Sequence, residues 1–151
     1  MAQKTRPLRA LYARTVTNGQ LVNMVVAAAR VAAARMRWPD GLDRDAAPEI
    51  IHEYLKRHKK YRAEGPAAQK VRLPSALVKD RTADCKSTAV FLAGALAAAG
   101  HPVSLRFIRQ KGARGAGYSH VYVTTAGTAV DPLLPFGMEA LYLTRKDIPI
   151  S

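Results

Sequence analysis

The chain has 151 residues and a mass of 16.4 kDa, the size of one domain with one buried core. With 48% hydrophobic and 23% charged residues it is not a disordered polyampholyte, and its single cysteine, Cys85, excludes an intramolecular disulfide and a polythiolate zinc site. The 24 Lys and Arg against 11 Asp and Glu give a formal charge of +13, which predicts attraction to nucleic acid, anionic lipid or an acidic protein surface without choosing among them.

The basic excess is mostly N-terminal. Residues 1–80 hold 16 basic and 7 acidic side chains, and residues 81–151 hold 8 and 4. Residues 1–16 read as a basic arm, with no apolar stretch of a secretory signal behind it. Thr17 or Asn18 caps an Ala-rich helix that runs to about Arg37, where Arg30, Arg35 and Arg37 suit the helix dipole. Trp38-Pro39-Asp40-Gly41 breaks it. The predicted organisation is an arm and helix over residues 1–40 and a folded domain over 41–151, packed as one unit.

Asp45 is expected to cap a second helix with Pro48 in its first turn. Ile50, Ile51, Tyr54, Leu55, His58 and Tyr61 follow helical spacing, the opposite face is Lys56, Arg57, Lys59, Lys60 and Arg62, and Glu64-Gly65-Pro66 ends the helix. An extended connection over 65–82 follows, anchored by Val71, Leu73, Leu77 and Val78. Asp84 or Thr82 caps a third helix from Cys85 to Ala99, which Gly100 and Pro102 close. Ser87 to Leu105 carries no Asp, Glu, Lys or Arg, but the Gly100-His101-Pro102 break leaves its apolar helix too short to span a membrane. Strands are expected over 103–109, 118–124 and 128–131, the last two joined by an Ala126-Gly127 turn. Beyond Pro132, Leu133, Leu134, Phe136, Leu141 and Leu143 are expected to pack on the body. Helices followed by a β-meander predict an α+β fold, the helix starting at the cysteine lying on a small antiparallel sheet.

Cys85 opens an apolar helix, where unpaired N–H groups and the dipole favour a thiolate, the reactive form in nucleophilic catalysis. A thiol nucleophile needs a base, and the base needs an orienting acceptor. Strand parity across the 126–127 turn permits His120 and Asp131 to share one face, which completes a Cys–His–Asp set. Each residue alone has a commoner structural role: a small buried thiol, a satisfied strand histidine and a turn aspartate. The exposed run 56–62 lacks aromatic platforms or a reader motif for nucleic acid, and the 111–117 loop lacks the context of a phosphate loop. His52, His58 and His101 show no metal-ligand spacing, so neither metal nor other cofactor is expected.

Four segments in order, Ala83-Asp84-Cys85-Lys86-Ser87, Ala99-Gly100-His101-Pro102-Val103, Ser119-His120-Val121-Tyr122-Val123 and Ala129-Val130-Asp131-Pro132, resemble the transglutaminase-like superfamily of papain-like cysteine enzymes. The stretch from Tyr61 to Glu64 and Val71-Arg72-Leu73-Pro74 is similar to small bacterial and tailed-phage members, and the match spans about residues 48–135. The resemblance implies a papain-like core, Cys85 as nucleophile, His120 as base and acid, and Asp131 as orienter. It implies a peptidase, amidase or acyltransferase that acts on protein or peptide amides through a thioester. The family usually has Gly where Ala83 stands. Its Arg after the Gly-x-Pro step aligns with Ser104, so Arg106, on the same strand face, is expected to substitute by pairing with Asp84. The Cys85 N–H is the first oxyanion donor, and Gln69, Trp38, Tyr54 and Tyr61 are candidates for the second. The family also holds inactive relatives. The alternatives are therefore a non-catalytic structural or assembly protein, such as a phage-particle component that docks acidic protein or other virion subunits, and a basic nucleic-acid binder. A lone thiol suits a reducing, cytoplasmic compartment, from which such a chain would enter a particle.

Overall fold

In a computed structural model the described residues are 10–12, 18–61, 70–74, 77, 82–114 and 117–151. Among them are three helices, α1 (Asn18–Arg35), α2 (Ala47–His58) and α3 (Cys85–Ala98). Four short strands, β1 (Ala10–Tyr12), β2 (Lys60–Tyr61), β3 (Lys70–Arg72) and β4 (Thr82–Ala83), form two two-stranded pairs, β1 antiparallel to β3 and β2 parallel to β4. The main sheet is antiparallel, ordered β7-β6-β5-β8, from β5 (Ser104–Gln110), β6 (His120–Thr125), β7 (Thr128–Val130) and β8 (Tyr142–Pro149). The class is mixed α+β, as the order of helices before strands predicts.

The charge-free window is the middle layer. Every residue of α3 from Lys86 to Leu96 is buried, because α1 and α2 cover one side and the sheet covers the other. A helix that is apolar all round is stable only when surrounded. Its partners are Val25, Ala28, Ala29 and Ala32 of α1, Ile51 and Leu55 of α2, and Leu105, Phe107, Val121 and Val123 of the sheet. The opposite sheet face carries Ile108, Tyr122 and Ala129 under Ala140 and Tyr142. Alternation along β5 and β6 thus separates a helix-facing row from a row covered by the 131–142 segment.

Several boundaries move. Asp45 does not cap α2. Its N–H bonds the Asp43 carboxylate, and Ala46 stands at the cap without a side-chain bond. The helix ends at His58, not beyond Tyr61, because Lys60 and Tyr61 pair with Thr82 and Ala83. Asp84 caps α3, accepting from the Ser87 N–H at 2.9 Å. Gly100 takes φ +90° just past its end, a conformation glycine adopts at little cost. The meander is real, but β8 adds a fourth strand beside β5, in the region expected only to pack on the body. Leu141 and Leu143 are exposed there, while Leu133 and Phe136 keep one side exposed and Phe136 sets its ring against His52. Val71, Leu73 and Leu77 are buried anchors as expected. Residues 1–9, Thr17, the 64–66 helix end and Val78 lie outside the described residues.

Helix α1 approaches α3 closely at Gly94. A Cβ there would press on the Met36 sulfur and lie 2.8 Å from the Ala32 Cβ and 3.1 Å from the Ala32 carbonyl carbon. The methionine can swing away, but the alanine cannot. Gly94→Ala should therefore destabilise the fold by about 1–2 kcal/mol, with overpacking outweighing the helix-propensity gain of up to about 1 kcal/mol. Urea unfolding checks this; an unchanged or higher midpoint would show that the helices separate freely.

Candidate functional site

The site is assembled by one cap and one hairpin. The Asp84 carboxylate takes the Ser87 N–H and the Ser87 hydroxyl, each at 2.9 Å, and lies 3.5 Å from the Lys86 ammonium. That cap starts α3 at Cys85 and places the thiol on its first turn. In the hairpin, Ala126 at φ +47° and Gly127 at φ +81° form a turn with two left-handed residues, the geometry that matches strand twist. The turn sets Val123 opposite Val130. Continued one position, this register puts Tyr122 across from Asp131, and His120 shares the Tyr122 face. His120 and Asp131 become diagonal neighbours, as parity predicts.

The His120 Nε2 and Asp131 Oδ2 are 2.7 Å apart, with both side chains almost fully buried. The other carboxylate oxygen, Oδ1, accepts from the Leu133 N–H at 3.1 Å. Cys85 lines the same cavity as His120 and Asp131, and its hydrogen-bonding and charge act on the imidazole together with those of Asp131. Burial alone would lower the imidazole, but hydrogen bonds and charge from Asp131 and Cys85 outweigh it and push His120 up to about 9. The structure therefore brings all three predicted residues, Cys85, His120 and Asp131, to one spot.

A cavity of about 220 Å³ opens on them, room for one side-chain-sized group. Its described lining includes Leu55, Ala83, Thr88, Leu92 and Leu133 as walls, with Lys56 and Lys59 beside the thiol chemistry. Tyr61, 42% exposed overall, also lines it beside Cys85. Burial first, then the charges of Cys85 and Asp84 and the bond to the sulfur, push the phenol up to about 12. Tyr61 thus stays a hydroxyl donor at neutral pH.

Other expectations need correction. Arg106 does not pair with Asp84. It faces the opposite side of the sheet from α3, where its guanidinium grips Asp147 at 2.8 and 3.2 Å and also bonds Glu139. The acids came from a strand and a loop that the sequence did not reveal. Trp38 is no oxyanion donor, because its indole N–H is spent on the Leu42 carbonyl at 2.8 Å inside the core. Tyr54 stacks on Phe91, meets the tilted ring of His58 and does not line the cavity. Gln69 lies outside the described residues. Ala83 replaces the expected glycine without strain: it sits in β4, and Ala126 is the sole non-glycine with positive φ among the described residues.

Among the described residues no group of three or more His, Cys, Asp or Glu is arranged to hold a metal ion, and no helix is long and apolar enough to cross a membrane. No protein-family model, curated protein or solved structure matches the chain.

The raised His120 makes a pH prediction. Its folded value, about 9, lies above the ordinary 6.5, so the fold favours the protonated ring. The resulting stability is fully present below about pH 6.5 and is lost as pH rises through 9, on the order of 2–3 kcal/mol. The unfolding free-energy difference between the parent and His120→Gln should shrink between about pH 6 and about pH 9.5. A gap that stays constant or widens counts against the buried Asp131–imidazole–thiol arrangement.

Proposed function

We propose that the chain is a transglutaminase-like cysteine enzyme with a papain-like core, acting on protein or peptide amides through a Cys85 thioester. One observation carries this: the lone thiol meets an imidazole whose far nitrogen is held by a buried carboxylate, beside an open cavity. Cys85 gives its proton to His120, and the sulfur attacks the amide carbon. As the C–N bond breaks, His120 returns the proton to the leaving amine. Water or a second amine, deprotonated by His120, then attacks the thioester and releases the sulfur, giving hydrolysis or transfer. Asp131 fixes the ring orientation and balances the imidazolium. The Cys85 N–H at the start of α3 and the Tyr61 hydroxyl are the oxyanion donors. Lys56 and Lys59 on the cavity wall make peptides with acidic residues near the amide the first substrates to try.

A second reading has its own support. Leu133, Phe136, Met138, Leu141 and Leu143 are exposed along one segment next to the edge strand β8. Such a run suits docking to another protein, so a non-catalytic assembly protein that retains this site is the alternative.

Thiol reactivity separates the two. Cys85 should alkylate with iodoacetamide at pH 7 about tenfold or more faster than a free thiol, and His120→Ala should remove most of that advantage. Alkylation at the free-thiol rate, indifferent to His120, would leave the assembly reading. A second measurement isolates Tyr61. Tyr61→Phe should slow acylation of Cys85 by p-nitrophenyl acetate at least tenfold, while iodoacetamide alkylation, which forms no oxyanion, does not slow. Equal retention of both rates would remove Tyr61 from the mechanism.

A further inference from the structure

Resting on the thiol chemistry just proposed, we propose that His52 is a positioning residue that holds Asp131 in place for His120 by hydrogen-bonding the turn that carries it. His52 lies on α2, within the buried face formed by Ala47, Pro48, Ile51 and Leu55, and only 4% of it meets solvent. Its Nε2 is 3.1 Å from the Asp131 carbonyl and 2.7 Å from the Leu134 carbonyl. Both partners are acceptors only, so this nitrogen carries a proton and donates to both. The two carbonyls are the first and last of a turn that the Leu134 N–H closes onto the Asp131 carbonyl at 3.0 Å. His52 therefore grips both ends of the turn from a different layer of the molecule, 79 and 82 residues away in sequence. Phe136 sets its ring edge-on to the imidazole at 5.6 Å and fills the space beyond.

The consequence is directional. The Asp131 carboxylate has one oxygen on the Leu133 N–H and one on His120, so its aim depends on the backbone of residues 131–134. Pro132 has no backbone N–H to donate, so it contributes no hydrogen bond to the hold on this stretch. A donor from α2 supplies a fixed point. A buried imidazole in this setting would ordinarily be a satisfied core histidine. The distinguishing feature is that both its acceptors belong to the turn of the orienting acid.

The test uses the full chain. In nitrogen-15 spectra His52 should show the proton on Nε2; a deprotonated Nε2 would overturn the proposal without any mutation. His52→Leu should lower the His120 titration midpoint by about one unit or more and slow Cys85 alkylation at neutral pH severalfold. His52→Gln, whose amide N–H reaches the place of Nε2, should recover much of both. A folded His52→Leu with an unchanged His120 midpoint, or a His52→Gln no better than His52→Leu, makes His52 structural only and overturns the proposal. Should His52→Leu fail to fold, the tautomer and the His52→Gln midpoint decide. The midpoint reads the Asp131–imidazole geometry and needs no reaction at sulfur. If His120→Ala leaves alkylation unchanged while His52→Leu still lowers the midpoint, the thiol chemistry fails and the positioning role stands.

Discussion

A single buried hydrogen bond, His120 Nε2 to Asp131 Oδ2 at 2.7 Å, governs what the site can do. An imidazole free to rotate would offer either nitrogen to the sulfur and hold no fixed tautomer. Engaged at Nε2, the ring is fixed in orientation, and Asp131 and Cys85 raise it above the ordinary imidazole value against the lowering effect of burial. The bond is short and dry, with both partners almost fully buried, so it acts in a setting where charge-assisted hydrogen bonds are strongest. The same setting makes an unmatched charge costly, and the carboxyl group is matched at both oxygens. His120 and Tyr61 shift in the same direction. The first is an imidazole pushed up to about 9 and the second a phenol pushed up to about 12, so both hold their protons at neutral pH.

The segment from Asp131 to Tyr142 is held from two sides, which explains how a loop can carry a precise acid. On the helix side, His52 bonds the 131–134 turn. On the far side of the sheet, Glu139 accepts from the Tyr122 hydroxyl at 2.8 Å and from Arg106. Tyr122 is almost fully buried and lies one strand position across from Asp131, and burial with the Glu139 bond raises its phenol far above the ordinary value. The Gly137 N–H also returns to the Ala129 carbonyl at 3.1 Å, within the same face. Arg106 therefore serves the site, but from behind: it anchors the loop and the β8 edge instead of supporting the cap at Asp84.

The legible parts of the molecule were those with local causes. Asp84 before an apolar run, and Gly100-His101-Pro102 after it, delimit α3 within a residue at its end. Ala126-Gly127 fixes a hairpin register, and register plus parity suffices to place His120 by Asp131. What escaped had causes distant in sequence. Strand β8 reads Tyr-Leu-Thr-Arg-Lys-Asp-Ile-Pro, with exposed residues through its middle, because an edge strand pairs on one side only and needs no buried row. Without β8 there was no Asp147 for Arg106, so Asp84 looked like its partner. His52 carried a weak signal, a polar residue sharing the buried stripe of Ile51 and Leu55, but the stripe does not say what it meets. Trp38 illustrates the converse: an indole N–H is a donor by composition, and only the fold shows that it is spent.

The charge distribution follows from the same accounting of acids. Residues 81–151 contain four carboxylates, Asp84, Asp131, Glu139 and Asp147. Asp84 caps α3, Asp131 orients His120, and Glu139 and Asp147 hold Arg106. Asp84 and Asp131 are buried, while Glu139 and Asp147 are exposed but paired with Arg106. Among the described basic residues of that half, Lys86 is buried beside Asp84, Arg106 is clasped by Glu139 and Asp147, and Arg145 lies 3.6 Å from Asp147. The net +13 is thus expressed at the surface and at the cavity wall, where Lys56 and Lys59 stand. Such a surface charge acts over several ångströms and weakens as salt is added, while the buried His120–Asp131 pair is shielded from ions and does not.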